Sequence, residues 1–345
     1  MQLYGIPFLV ALALSLGIGL LLLLMPLFQK RVWRESERHA EKAHISRLGG
    51  VAIITAFVIV VLFHPYLVLS KSIVGLIAGS ILILLFGLWD DFRSQDWRVQ
   101  LAFQVVLGLL MVIFGIRILS LNIPFRETMF FTEQAWFIPS VFISIVWFLL
   151  VMNAMNWLDG LDGLAGGLSI LSLLTVTLIA LRPEVNQPPV AILALVGVGA
   201  TLGFLFFNFY PARILLGTTG SLFLGFLIAL LALISGTKIA TALMVLSLPI
   251  ADALFVIIDR LLHHRSLFQP AQSHLHYRLR DLGWSEKHIA WFFYGVTSVI
   301  ALLALSTTLM SKFIALILIL LLVFSILIFV AWKTEQRKTL VSEAE

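Results

Sequence analysis

Cysteine and charge are what this chain lacks. It has no cysteine among its 345 residues, and only 12% of them are Asp, Glu, Lys or Arg. Without thiols there is no disulfide framework and no thiolate metal site. Hydrophobic residues make up 61% of the chain, and the mean hydropathy is +1.06. A soluble protein cannot keep so much apolar surface from water. The long apolar runs therefore predict an all-α membrane protein that crosses the bilayer many times.

Long polar segments, internal repeats and low-complexity stretches are also missing. We therefore expect residues 1–345 to form a single integral-membrane domain. The N-terminal apolar run has no basic flank before it and no small-residue cleavage site after it. We expect it to be retained as a span and not removed as a signal peptide.

Apolar runs of span length recur about eleven times. Lys and Arg divide unevenly between alternate loops, one set holding 17 of the 23 basic residues. Because basic loops stay in the cytoplasm, this bias predicts an outer N-terminus and a cytoplasmic C-terminus. We also expect residence in the cytoplasmic (inner) membrane. The same bias accounts for the net charge of +5, so no nucleic-acid partner is implied. The predicted spans are 4–26, 48–63, 72–89, 99–120, 137–153, 164–181, 189–207, 221–236, 239–259, 288–309 and 313–332.

The most informative interruption of the apolar pattern is a stretch rich in carboxamides, carboxylates and glycines. Its polar groups recur at every third residue, at Asn153, Asn156, Asp159 and Asp162. The intervening glycines leave backbone amides open to a phosphate or a sugar. An ordinary polar loop between spans is the alternative. A calcium loop is excluded, because its third ligand position would be Leu161.

Two adjacent carboxylates, Asp90 and Asp91, end the third predicted span. Like charges at the lip of a bilayer would take up protons unless a cation holds them ionised. Mg²⁺, which binds through carboxylates and substrate phosphates, is the natural partner. The alternative is that the two acids simply terminate the helix, although acids at a helix C-terminus oppose its dipole.

Asp252 lies inside the ninth predicted span, eight residues before Arg260. That spacing puts it about 12 Å from the cytoplasmic end of a helix. A carboxylate at this depth costs on the order of 3 kcal/mol unless it is paired or faces water. We expect it to line a cavity that is open to the cytoplasm; pairing with a neighbouring helix is the alternative.

Three further segments suggest a site for an anion on the cytoplasmic side. Lys42 precedes two glycines that enter the second span, although topology alone also favours a lysine there. Residues 217–221, Gly-Thr-Thr-Gly-Ser, form a plausible phosphate cradle or an ordinary helix cap. In the largest cytoplasmic loop, Arg265, His274 and His276 could clamp a diphosphate. Zinc is less favoured there, because no Cys or Glu completes a usual ligand set.

Taken in their order along the chain, these motifs resemble those of the polyprenyl-phosphate N-acetylhexosamine-1-phosphate transferase family. Asp90-Asp91 looks like its paired-aspartate motif, and Asn153-x-x-Asn156-x-x-Asp159-Gly-x-Asp162-Gly is similar to its most specific signature. Arg265-Ser-Leu-Phe-x-Pro followed by His274-Leu-His276 looks like its histidine loop. Pro249-Ile-x-Asp252 also fits, while Lys42 with Gly49-Gly50 matches only loosely.

Two positions depart from the pattern of that family. Its Gly-Asp-x-Gly-Ser reads Gly217-Thr218-Thr219-Gly220-Ser221 here, so an acid associated with magnesium is replaced by Thr218. Its Pro-Asp-Arg or Pro-Asp-Lys reads Pro270-Ala271-Gln272. The histidine loop also lacks the triple histidine of the peptidoglycan translocase. Its absence favours the branch of the family that transfers a simple sugar phosphate.

The resemblance implies transfer of N-acetylhexosamine 1-phosphate from UDP to a polyprenyl phosphate, with release of UMP. It implies that Asp90 and Asp91 hold Mg²⁺ and act in catalysis. The residues expected to bind substrate are Lys42, Asn153, Asn156, Asp159, Asp162, Asp252, Arg265, His274 and His276. Two other readings stay open: a non-catalytic paralogue that binds lipid phosphate or nucleotide sugar, and a secondary transporter. The sequence leaves the hexosamine, the lipid length and a homodimer undecided.

Overall fold

The structure, a computed structural model, describes residues 2–24, 45–121, 129–131, 134–235, 239–264, 266, 273–307 and 309–344. Within these ranges the chain forms thirteen α-helices, one short 3₁₀ turn and a two-stranded antiparallel ribbon. The ribbon pairs β1 (Ser120–Leu121) with β2 (Met129–Phe130). The helices are α1 (Gly5–Leu24), α2 (Gly49–Phe63), α3 (Lys71–Phe92), α4 (Trp97–Ile113), α5 (Phe137–Leu158), α6 (Leu164–Ala180), α7 (Pro188–Asn208), α8 (Gly217–Ile234), α9 (Ile239–Val245), α10 (Ser247–Leu262), α11 (Leu275–Asp281), α12 (Glu286–Ser306) and α13 (Leu309–Ala344). The all-α prediction is confirmed apart from the ribbon.

The number of membrane spans differs from the prediction. In the described chain, seven helices are long and apolar enough to cross a membrane, or eight if α9 and α10 count as one bent span. The other apolar helices, α2, α4 and α6, have 15, 17 and 17 residues. Seventeen helical residues reach only about 26 Å, somewhat less than the ~30 Å of hydrocarbon in a typical bilayer. Each predicted span overlaps a helix, but eleven crossings are not confirmed, and the orientation stays a prediction.

Helix α8 is the centre of the bundle. In its most apolar stretch 89% of the residues are buried, against 17% for α13 and 22% for α1. It packs against α2, α3, α5 and α6, and its large side chains Phe223 and Phe226 are fully buried. A helix that is apolar on all sides is stable only inside a bundle, whereas α1 and α13 present apolar side chains outward as a lipid-facing helix does. The first turn of α8 is therefore held in place by several helices at once.

Glycines let two helices approach the start of α8 backbone to backbone. A Cβ on Gly50 of α2 would overlap the backbone of Gly220, and a Cβ on Gly87 of α3 would overlap Thr219. The start of α2 is also tied to the segment that precedes α8, because Gly49 N donates to Leu215 O at 3.0 Å. The close approach brings the last turn of α3 to the first turn of α8.

The bend between α9 and α10 measures 73°. Pro249, the third residue of α10, has no N–H to continue a hydrogen-bond ladder from α9, so it is tolerated only in the first turn of a new helix. The break at Leu246 redirects α10, which carries Asp252 and Asp259. The sequence predicted one span over 239–259, whereas the structure has two helices there, with Pro249 in the first turn of the second.

Candidate active site

Asp91 accepts hydrogen bonds from the N-terminus of α8. Its Oδ1 accepts from the backbone N of Thr218 at 2.8 Å, and its Oδ2 accepts from N and Oγ1 of Thr219 at 3.0 and 2.6 Å. The first amides of a helix have no partner inside the helix and carry the positive end of its dipole, so a carboxylate is stabilising there. Asp91 therefore fastens the Gly-Thr-Thr-Gly-Ser segment, which is the first turn of α8, to the last turn of α3. Residue 218, the position that departs from the family pattern, lies beside the paired aspartates.

Asp90 is held from the other side, by the segment that begins α4. Its Oδ1 accepts from the backbone N of Gln95 and from Nε2 of Gln100, both at 2.9 Å. No described residue donates to its Oδ2 in the structure. The two adjacent acids thus have different surroundings: Asp91 is engaged through both oxygens, and Asp90 through one.

These side chains can hold magnesium only in a binding mode that uses few protein ligands. Among the described residues there is no group of three His, Asp or Glu side chains that could enclose a metal ion. Magnesium in phosphoryl-transfer sites commonly takes one or two carboxylates and completes its shell with water and substrate phosphates. Oδ2 of Asp90 suits that mode, whereas the oxygens of Asp91 already accept three hydrogen bonds. The residues present are therefore compatible with magnesium held mainly by Asp90 and substrate.

Asn156 connects the Asn-Asp stretch to the same segment. Its Oδ1 accepts from Ser221 Oγ at 2.9 Å, and that hydroxyl also lies 3.0 Å from the carbonyl oxygen of Gly217. Since Gly217 precedes the amides that bind Asp91, one short network joins α3, α8 and the end of α5. The predicted site residue Asn156 is therefore a neighbour of Asp90 and Asp91, although it is far from them along the chain.

Asn153 faces α4, away from that network. Its Nδ2 donates to Gln104 Oε1 at 2.6 Å and to Leu149 O at 2.8 Å, and its Oδ1 accepts from Gln104 Nε2 at 3.4 Å. Gln104 is 1% exposed. Two carboxamides that satisfy each other in this way cross-link two apolar helices. The predicted role of Asn153 in substrate binding remains untested, but its side chain already has protein partners.

The second half of the polar stretch is a turn that docks on the segment after α7. Asp162 Oδ2 accepts from Ala212 N at 2.9 Å, and Asn208 Oδ1 accepts from Gly163 N at 3.1 Å. Gly163 has φ +77°, a conformation that favours glycine and separates α5 from α6. Asp159 occupies the C-terminal end of α5, and Asp162 is 3% exposed within the turn. The two acids therefore do not share one helix face.

Asp252 is buried against the histidine helix α11. Its Oδ2 lies 2.9 Å from Nδ1 of His274, and its Oδ1 accepts from the backbone N of Leu275 at 2.7 Å. It is 3% exposed, so the expected cavity open to the cytoplasm is wrong for this side chain. The physical reason is that an imidazole and a helix N-terminal amide satisfy the carboxylate without water. Asp252 thereby fixes the ring of His274 through Nδ1.

The histidines meet the end of α5. The rings of His274 and Trp157 have centroids 5.8 Å apart, and the rings of His274 and His276 are nearly parallel, with an angle of 6° between their planes. A Cβ on Gly160 would lie 2.5 Å from both His276 Nε2 and the Tyr277 hydroxyl. Only glycine lets the backbone approach this closely, so the Asn-Asp stretch and the histidine helix are in direct contact.

Two arginines hold α11 in place. Arg278, 9% exposed, donates through Nε to Ser273 O at 2.7 Å, and its Nη2 lies 4.0 Å from Asp259 Oδ2. Arg337, near the end of α13, donates to the carbonyl oxygen of Asp281 at 2.7 Å, where α11 ends. A cation is favourable at that end of the helix dipole. The last helix of the chain thus reaches the histidine helix.

Some predicted residues lie outside the described part of the chain, and some residues of the site were not predicted. Lys42, Arg265 and Ala271 lie outside the described residues. The sequence reasoning missed Gln100 and Gln104, which contact Asp90 and Asn153. Their signal was available, because two carboxamides four residues apart on an apolar helix face the same way. The role of Arg337 had no comparable signal.

Comparisons with known proteins give a consistent result. A family model described as "Glycosyl transferase family 4" matches residues 73–236, which include the paired aspartates, the Asn-Asp stretch and the loop before α8. A Bacillus subtilis (strain 168) protein named "Probable undecaprenyl-phosphate N-acetylglucosaminyl 1-phosphate transferase" is 31% identical over 82% of this chain and 80% of its own length. The phospho-N-acetylmuramoyl-pentapeptide-transferase of Desulforudis audaxviator (strain MP104C) is also 31% identical, over 88% and 96%. The decaprenyl-phosphate N-acetylglucosaminephosphotransferase of Mycobacterium tuberculosis (strain ATCC 25618 / H37Rv) is 29% identical, over 79% and 74%.

Proposed function

This chain belongs to glycosyl transferase family 4, and on that premise we propose that it transfers N-acetylhexosamine 1-phosphate from a UDP-sugar to a polyprenyl phosphate and releases UMP. It is a multi-pass membrane transferase. The names of two of the three relatives given above specify N-acetylglucosamine, whereas the third acts on a muramoyl pentapeptide. The absence of a triple histidine here favours a simple UDP-N-acetylhexosamine. The proposed setting is the cytoplasmic membrane, as an early step of cell-envelope glycan synthesis.

One observation carries this proposal: three loops far apart in the chain meet at one end of the bundle. Asp91 binds the first amides of α8, Ser221 binds Asn156, and Gly160 lies against His276. An oxygen of Asp90 that has no described donor and two imidazoles at a membrane boundary suit a ligand with phosphates and a sugar, bound together with a cation. The lipid phosphate can reach such a place from the bilayer while its chain stays in hydrocarbon.

The proposed reaction exchanges one phosphoanhydride linkage for another. An oxygen of the lipid phosphate attacks the β-phosphorus of the UDP-sugar, and the bond from that phosphorus to the bridging oxygen breaks, so that UMP leaves with the electron pair. The lipid phosphate is already ionised and needs little help from a base. A magnesium ion at Asp90 would supply positive charge beside the diphosphate. His274, held through Nδ1 by Asp252, has Nε2 as its remaining ring atom for a phosphate oxygen.

A UMP-release assay tests the proposal. Purified full-length protein is supplied with undecaprenyl phosphate and, in separate reactions, UDP-N-acetylglucosamine, UDP-N-acetylgalactosamine or UDP-N-acetylmuramoyl-pentapeptide, each with magnesium or with a chelator. We expect magnesium-dependent UMP release with one of the first two substrates. His274→Ala together with His276→Ala should abolish it, while His288→Ala, an exposed histidine at the start of α12, should not. No UMP from any substrate, in a monodisperse preparation, would contradict the transferase proposal.

A further inference from the structure

A second pocket lies at the end of the bundle opposite the Asp, Asn and His motifs. It lies between the last turns of α6, the last turns of α8, and α9, and its empty space, including the part that is open to solvent, is about 330 Å³. Thr218 and the pocket-lining Ala232 are separated by fourteen residues of α8, which is about 21 Å along a helix. The pocket is therefore separate from the site described above.

The wall of the pocket is mostly apolar, but four hydroxyl groups line it. Ser172, Thr175 and Ser235 each donate to a carbonyl of their own helix, so these hydroxyls are satisfied and the walls are compatible with a hydrocarbon chain. The fourth hydroxyl, on Thr241, accepts from the Nζ of Lys312 at 2.9 Å. The other lining residues are Val176, Ile179, Ile228, Ala232, Ala242, Val245 and Leu246.

Two cations lie at this pocket. Lys312, in the first turn of α13, reaches it through Thr241, and Arg182 follows the pocket-lining Ile179 by one turn, with its backbone N donating to Ile179 O at 3.1 Å. The Arg182 guanidinium donates to the carbonyl of Leu305 at the end of α12. The charges of Arg182 and Lys312 are close enough to repel each other.

Both cations are partly buried, and among the described residues no carboxylate forms an ion pair with either. The hydrogen bonds that hold them run to a neutral hydroxyl and a neutral carbonyl, which satisfy a donor but leave the charge in place. Two like charges at reduced hydration raise the energy of the folded state unless an anion joins them. At the end of a membrane bundle, the anions at hand are the phosphates of lipid headgroups.

We propose that this pocket binds an anionic phospholipid of the leaflet opposite the active site. The headgroup phosphate lies between Arg182 and Lys312, and the first carbons of an acyl chain lie against the pocket beside Val176. This lipid holds α6, α9, α12 and α13 together at their ends, at a distance from the chemistry. The proposal is independent of the transferase reaction.

Native mass spectrometry of the detergent-purified full chain tests it. The protein is incubated with phosphatidylglycerol, with phosphatidylcholine, or with inorganic phosphate in detergent alone. We expect preferential retention of phosphatidylglycerol, reduced at least about tenfold by Arg182→Gln together with Lys312→Gln, since each cation near an anionic lipid contributes to binding. Lys71→Gln, an exposed lysine at the same end of the bundle, is the matched control and should retain the lipid as the unmodified chain does.

A pocket-filling variant separates the two parts of the site. Ala242→Leu should weaken retention of phosphatidylglycerol while both cations remain. If the double variant is not monodisperse, the single variants Arg182→Gln and Lys312→Gln should each weaken retention about threefold. Equal retention by charge variants and control would overturn the proposal. Retention of inorganic phosphate as strong as that of the lipid would overturn the assignment to a lipid in favour of a simple anion site.

Discussion

The different surroundings of Asp90 and Asp91 lead to a prediction that separates the two residues by experiment. Asn replaces each carboxylate with a side chain of the same shape that has one acceptor oxygen and one NH₂ donor. At position 91 both oxygens accept hydrogen bonds, so the new NH₂ group would face a donor, either Thr218 N or Thr219 N. At position 90 the described donors share Oδ1, and the NH₂ group can take the place of Oδ2.

The magnitudes follow from those contacts. A hydrogen bond to a charged acceptor contributes about 1.5–3 kcal/mol, and loss of a helix N-cap costs about 0.5–2 kcal/mol. For Asp91→Asn these two figures describe the same contacts and are not added. Removal of a buried charge, and of its repulsion from Asp90, offsets part of the loss. We expect a loss of about 2 kcal/mol, which lowers the unfolding temperature by about 4–8 °C if ~2–4 °C per kcal/mol applies. For Asp90→Asn we expect a fall of no more than ~2 °C.

Two measurements on the same purified proteins test this prediction. The unfolding temperature comes from tryptophan fluorescence in detergent, and the magnesium concentration for half-maximal UMP release comes from a titration. We expect Asp91→Asn to lower the first, and Asp90→Asn to raise the second at nearly unchanged unfolding temperature. Equal destabilisation by both substitutions would refute the reasoning. So would an Asp91→Asn protein of normal stability whose only defect is its magnesium requirement.

Three further predictions concern the surroundings of the site. Thr218→Asp restores a carboxylate beside Asp91 and should lower the magnesium concentration for half-maximal rate and raise turnover; unchanged values in an active protein would mean that position 218 is not near the metal. Gly160→Ala places a methyl group 2.5 Å from His276 Nε2 and should lower kcat about a hundredfold in the UMP assay, so normal kcat would show that the close approach is not needed. Arg337→Gln should lower kcat several-fold with little change in KM, because a cation at the C-terminus of α11 holds the helix that carries the histidines. Arg337→Lys keeps the charge and should retain most of the kcat. An Arg337→Lys protein as impaired as Arg337→Gln would argue against this role.

Several elements could be predicted from local sequence with good reason. Ser70 accepts a hydrogen bond from Ile73 N at the start of α3, and Ser285 accepts from His288 N at the start of α12, as N-cap chemistry leads one to expect. Pro249 marks the start of a helix in a run that otherwise reads as one span. The glycines of the Asn-Asp stretch do permit a turn and a close approach, at Gly163 and Gly160.

The partners of the polar side chains were not predictable in the same way. Asp91 binds amides 127 and 128 residues further along the chain, and Asn153 binds a glutamine 49 residues away. Local sequence does not distinguish a carboxylate that binds a metal from one that caps a distant helix. Asp252 is a second example. Its depth in a span required either a protein partner or water, and only the packing of α11 against α10 shows that it has protein partners.

The sequence by itself determined that this chain is a helical membrane protein and which polar residues interrupt its helices. The physical reason is that hydrocarbon offers no hydrogen bonds, so spans must be apolar helices, and each Asp, Asn or His among them has to be satisfied by the protein, a ligand or water. Only the tertiary structure decided which of those groups satisfy one another, because that depends on which helix ends pack together. Gly50 and Gly87 allow α2 and α3 to reach the start of α8, and that packing makes Asp91 a helix cap while Asp90 keeps an oxygen for a ligand.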